Sequence, residues 1–248
     1  MKSSVGFMVV KQIKNSITAY GSAILKFLNQ ILIGPAFEAP YDFKPTYTNL
    51  AVQLNNIWND KSVGLNRIFN LALVLIQFVN PFNLVCHCFD RISASAGALF
   101  TDVYVILKLA VSLGLIFEFR ISTCAIFVIS MYIIIETVLY VLKVVFLSSY
   151  GNPPISSKRS LLILFINYFT VTLAFAAIYR IPGLVPSITQ PINAVYFSFV
   201  ISSTLGLANY VPIEGKGQLS VIFQIITTIF FLTVFFTHFL NRLQEKGD

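Results

Sequence analysis

Apolar residues in this chain fall into long runs separated by short polar punctuation. Four runs, at 99–118, 121–147, 160–180 and 219–240, are each near or above the roughly 20 residues a helix needs to cross the hydrocarbon layer. Between the last two lies 194–212, AVYFSFVISSTLGLANYVP, which is too short and too broken to cross by itself. An apolar helix-forming stretch there gives way to a turn-like Ser-Thr-Leu-Gly-Leu-Ala-Asn run. Backbone without helical bonds is tolerated at membrane depth only where protein buries it or where it lines a water-filled path. The pattern therefore predicts a re-entrant helix and loop held between two spans.

The first third of the chain reads differently. Over 5–33, Val9, Val10, Ile13, Ile17, Ile24, Leu25, Leu28, Ile31, Leu32 and Ile33 recur at helical spacing, opposite Lys11, Lys14 and Lys26. That spacing predicts a helix lying in the cytoplasmic interface, ended by Gly34-Pro35. A cleaved leader is not expected, because Lys11 and Lys14 interrupt any uncharged core. Residues 35–62, with Pro35, Pro40 and Pro45, read as an extramembrane linker. Residues 63–89 are apolar but carry Asn66, Asn70, Gln77, Asn80 and Asn83; they predict a second interfacial or re-entrant helix, with a full crossing as the alternative. The division is then 1–95 as an interfacial or cytoplasmic region, 96–150 as two peripheral spans, and 158–243 as a core unit of outer helix, loop and inner helix.

Composition leaves little room for a soluble protein. Hydrophobic residues make up 56% and charged residues 11%, with a mean hydropathy of +0.80; soluble domains carry about 25% charged residues. The 24 Phe and 11 Tyr suit lipid-facing and interfacial positions. The net charge of +7 sits in clusters beside apolar runs, as cytoplasmic flanks do, and no basic domain exists to carry nucleic-acid phosphate contacts. Lys158 and Arg159 precede the third span, and Arg242 and Lys246 follow the fourth. Both flanks are then cytoplasmic, as are the N and C termini, while Arg180 and Lys216 on the outer side run against the bias.

Candidate chemistry is sparse. Cys86-His87-Cys88 is too tight for an ordinary zinc site, no second ligand pair follows, and packing explains it. No glycine-rich phosphate loop, paired His-Glu metal motif or nucleophile motif is present, so an enzyme is not expected, nor any cofactor. Lys108 and Glu136 fall inside the first two spans, where a charge is costly unless paired, and they are candidates for an intramembrane pair. No segment places Arg or Lys at every third position, so a voltage sensor of the usual type is not expected.

Tyr196, Phe197, Ser198, Val200, Thr204, Gly206, Val211 and Pro212, together with Gly217 and Gln224, carry a specific likeness. The region from 160 to 240 resembles the two-helix pore domain of tetrameric potassium channels, with a divergent selectivity filter. The resemblance implies an all-α polytopic membrane protein of four spans, with a pore helix and filter loop between the last two and one or two N-terminal interfacial helices. It implies a homotetramer in a lipid bilayer, K+ as the permeant ion, and no metal beyond that cation. The filter positions would be Thr204, Leu205, Gly206, Leu207 and Ala208, whose carbonyls replace the ion's hydration shell. The pore helix, about 193–203, would aim its partly negative carbonyl end at the cavity, with Asn193 as a candidate N-cap.

Departures from that family fall where selectivity is made. Its second filter glycine is Ala208 here, Leu207 stands for an aromatic residue, and Asn209 for an aspartate. No glycine lies between 219 and 240, so a glycine hinge is absent from the inner helix. Thr227, Thr233 and Thr237 are pore-lining candidates, the alternative being a hydroxyl bonded to its own helix four residues back. A cation channel is the leading expectation. A non-conducting or auxiliary subunit that retains the pore fold, and a transporter subunit, are the alternatives, and residues 1–95 leave room for an unknown partner.

Overall fold

A computed structural model describes residues 43–60, 64–117, 121–147, 150, 157–205 and 210–244. The interfacial helix expected over 5–33 and filter positions Gly206, Leu207 and Ala208 lie outside the described residues. Every element among the described residues is helical: α1 (Thr46–Asn59), α2 (Leu65–Val79), α3 (Pro81–Asp90), α4 (Ala94–Phe117), α5 (Thr123–Phe146), α6 (Ser157–Tyr179), α7 (Pro191–Ser202) and α8 (Lys216–Gln244). Helices α4, α5, α6 and α8 are long and apolar enough to cross a membrane. The chain is an all-α polytopic membrane protein.

Within the expected linker, residues 46–59 form helix α1 instead. Thr46, Leu50, Gln53 and Ile57 recur at helical spacing and are all buried, but two of the four are polar, which hid the stripe. Leu50 and Ile57 pack on Leu73 and Val74 of α2 and on Leu147. The start of α1 is tied to the end of α3. Thr46 donates its backbone N–H and its hydroxyl to Asp90 Oδ2, and the Tyr47 N–H meets His87 Nδ1 at 3.3 Å. These bonds occupy donors that a helix start leaves unpaired.

Residues 63–89 hold two helices rather than one, α2 and α3, bent by 75° at Asn80-Pro81. Proline has no N–H to continue the ladder. The Asn80 side chain accepts the Phe82 N–H at 3.0 Å and caps the new helix, with Pro81 at its first position.

Helix α6 is the hub. Every residue from 170 to 179 is buried, a pattern that belongs to a helix surrounded on all sides. Helices α4 and α5 pack on α6, and so do α7 and α8. Ala174, Ala176 and Ala177 are fully buried, and such small residues let helix backbones approach closely in lipid. Two arginines fasten α6 to α4. Near its start, Arg159 pairs with Asp102 at 2.6 Å and donates to Ala98 O at 2.9 Å. Just past its end, Arg180 donates to the carbonyls of Ile116 and Leu115, which the last turn of α4 leaves without helical partners. Helices α4 and α6 therefore run parallel. Helix α5 runs antiparallel to α4 and is joined to it by Lys108, whose Nζ lies 2.6 Å from Glu136 Oε2 and 3.0 Å from Thr137 Oγ1.

Candidate functional site

Helix α7 has 12 residues and packs against α6 and α8. Its start differs from expectation. Gln190 is the N-cap residue and makes no side-chain bond, Pro191 opens the helix, and Asn193 lies inside the first turn with its N–H on Gln190 O at 3.1 Å. Pro191 fits the first helical position, where its missing N–H costs nothing, so the start falls three residues earlier than an Asn193 cap would set it.

The far end of α7 carries a helix stop with a defined hydrogen-bond pattern. Leu205 N–H bonds Val200 O at 3.3 Å and Thr204 N–H bonds Ile201 O at 3.0 Å. This six-to-one and five-to-two pairing is the Schellman motif, whose pivot residue takes left-handed geometry and is usually glycine. Here the pivot is Thr204, at φ 59°. A β-branched residue in that region is strained by about 1–2 kcal/mol. Thr204 Oγ1 donates to Ser203 O at 2.7 Å, and Leu205 is 63% exposed, so the first two of the expected filter positions face away from the subunit core.

Behind this turn lies a buried polar network. Gln224 of α8 is at its centre. Tyr179 donates its hydroxyl to Gln224 Oε1 at 2.7 Å. Gln224 Nε2 donates one hydrogen to Ser202 Oγ at 2.7 Å and shares the other between Ser198 O and Ser198 Oγ, both at 2.9 Å. Ser198 Oγ passes its own hydrogen to Thr172 O at 2.6 Å. Thr172 donates to Tyr168 O at 3.0 Å, so the 3.3 Å contact between Thr172 and Ser202 hydroxyls is donated by Ser202. Tyr168 then donates to Ser202 O at 3.0 Å, satisfying a terminal carbonyl of α7. Three helices are thus joined at one fully paired cluster just below the loop. Aromatic rings close it off: Tyr179 lies edge-on to Phe197 at 4.9 Å, and Phe197 to Tyr210 at 5.9 Å.

The segment after the loop is fixed at a second point. Ile213 N–H bonds Leu184 O at 2.9 Å, in the connection between α6 and α7. A Cβ on Gly217 would collide with that same carbonyl oxygen, so glycine is what lets the start of α8 pass.

The pore-lining candidates divide. Thr227, Thr233 and Thr237 each donate to the carbonyl four residues back, at 2.8, 2.8 and 2.9 Å. Thr227 is buried inside the subunit, whereas Thr233 and Thr237 are exposed. Lys108 and Glu136 belong to a different place, the contact of α4 with α5. Of the network residues, sequence reasoning had placed Ser198 and Gln224 on matching positions without a role and had passed over Ser202, Thr172 and Tyr179. The available signal was the i, i+4 pair Ser198 and Ser202 on an otherwise apolar helix, which marks one polar face.

Residues 163–245 match the model of a family described as Ion channel. No curated protein and no solved structure matches the chain. The matched stretch runs through most of α6, all of α7 and α8, and the loop between them, and supports an ion-channel pore domain in this part of the chain.

Proposed function

We propose that this chain is one subunit of a homotetrameric cation channel, permeable to potassium. The carrying observation is α7: a short apolar helix between two spans, stopped by an exposed left-handed turn at Thr204 and held from behind by Gln224. Four copies around an axis would bring the turns together, with carbonyls of Thr204, Leu205, Gly206, Leu207 and Ala208 coordinating K+. The carbonyl end of α7 carries partial negative charge and favours a cation nearby. Thr233 and Thr237, exposed on α8, are the pore-lining candidates below the filter. No cofactor enters this reading, and both termini are cytoplasmic by the basic flanks.

Purified protein in liposomes tests it. Potassium should leave down its gradient, native mass measurement should give four chains, and Gly206→Val should abolish flux while the tetramer persists. Monomers without flux would overturn the reading. Leu207, Ala208 and Asn209 favour one other reading, a subunit that keeps the pore fold without conducting; stable tetramers that pass no cation would select it.

A further inference from the structure

Helices α2 and α3 are built inside out. Asn70, Gln77 and Asn83 are buried at 2%, 2% and 1% exposure, while Ile68, Leu75, Ile76, Val79, Leu84 and Val85 face outward. The buried amides serve the interior: Asn83 Nδ2 donates to Gln77 Oε1 at 2.7 Å and to Gln77 O at 2.8 Å, and Gln77 Nε2 reaches Leu139 O at 3.3 Å. The second apolar side of α2, Leu73 and Val74, is already covered by α1. Water would reverse this distribution; hydrocarbon accounts for it.

Both ends of the pair lie at one end of the α4–α5 hairpin. The short connection from Phe117 to Thr123 keeps the end of α4 beside the start of α5, and Lys108 meets Glu136 at mid-helix, so the two run antiparallel and the start of α4 and the finish of α5 share a side. Helix α2 begins beside that finish, with Phe69 edge-on to Phe146 at 5.1 Å, and rises to Leu139. Helix α3 turns back along α4, from Phe82 against Tyr104 at 4.5 Å to Phe89 on Phe100 at 4.6 Å, and Asp90 closes on Gly97. The climb from Phe146 to Leu139 is about 10 Å at 1.5 Å per residue, about a third of the roughly 30 Å hydrocarbon layer.

We infer that α2 and α3 form a re-entrant wedge that dips into one leaflet and leaves on the side it entered, its outward face packed against the lipid acyl chains of that leaflet. The face is continuous with the lipid side of α5, since Phe146 beside it is itself exposed. The wedge does not depend on ion conduction, so it stands or falls apart from the channel reading.

The full-length chain tests it, because Trp58 is its one tryptophan and can be removed as Trp58→Phe. In that background Ile76→Trp is placed in phosphatidylcholine vesicles with brominated acyl chains. The expected result is loss of emission to bromine and protection from aqueous acrylamide. Quenching by acrylamide, or by neither agent, means water or a protein covers the face and overturns the wedge. A second measurement uses Asn66→Cys and Arg91→Cys, each in a chain whose Cys86, Cys88 and Cys124 are replaced by serine. In sealed vesicles of one orientation, an impermeant thiol reagent should label both from the same side. Labelling from opposite sides makes the pair a crossing and overturns the wedge.

Discussion

At the scale of single residues, Thr204 and Gln224 do opposite things to the same loop. Thr204 sits at φ 59°, where glycine would be unstrained. Thr204→Gly should therefore raise thermal stability in detergent by about 1 kcal/mol, less the small cost of added freedom in the unfolded chain. If potassium flux is present, its selectivity should fall in the same variant, because the hydroxyl is lost. Gln224 works the other way. Gln224→Leu removes partners from Tyr179, Ser198 and Ser202 at once, all of them buried. The Tyr179 hydroxyl is left without an acceptor at a cost of about 1–3 kcal/mol, while Ser198 and Ser202 keep their bonds to Thr172, so the variant should unfold at a lower temperature and lose any flux. Thr233→Val is the control. Its hydroxyl serves only its own helix and is exposed, so melting should scarcely move.

At the scale of elements, how much was legible depended on whether an element declares itself through its own residues. Helices α4, α5, α6 and α8 did, because unbroken apolar runs of that length have few other uses. Helix α7 did as well, through its apolar run and the Ser-Thr-Leu-Gly run that follows, although its start was expected at Asn193 and lies at Pro191. Helix α1 did not: its buried stripe includes Thr46 and Gln53, and three prolines upstream read as a linker. The network behind the loop was hidden for a different reason. Serine and threonine in an apolar helix look alike whether they bond their own backbone, as Thr170 does to Ile166 O, or a distant helix, as Ser198 does to Thr172 O. Lys108 and Glu136 were easier, since two opposite charges in adjacent spans have few ways to be satisfied. They are also the chief polar link between α4 and α5, which touch each other less than either touches α6. Lys108→Met should cost about 3–5 kcal/mol, because Glu136 is left buried without a counter-ion. Lys108→Met with Glu136→Leu should recover most of that loss. A double-mutant cycle read by thermal unfolding checks it; a double variant that loses the sum of the two single losses would show that the pair does not couple the helices.

At the scale of the whole molecule, the pore unit is not self-contained. In a two-helix arrangement, one side of the outer helix would meet lipid. Here α6 is enclosed, with 170–179 buried throughout, and α4 and α5 supply much of the cover. The attachment is also polar: Arg159 reaches Asp102 and Ala98 O, and Arg180 reaches the last carbonyls of α4. Without α4, Arg159 loses its carboxylate partner, and Thr172 and its neighbours lose the packing that keeps the network dry. A chain cut between α5 and α6 makes the argument testable. Residues 157–248 expressed alone should aggregate or fail to assemble on native gels. Co-expression with residues 1–150 should restore a single species containing both pieces, since the cut falls between helices and removes no contact described above. If 157–248 alone gives a monodisperse assembly that melts at the same temperature as the intact chain, then α4 and α5 are passengers and α6 needs no cover but lipid.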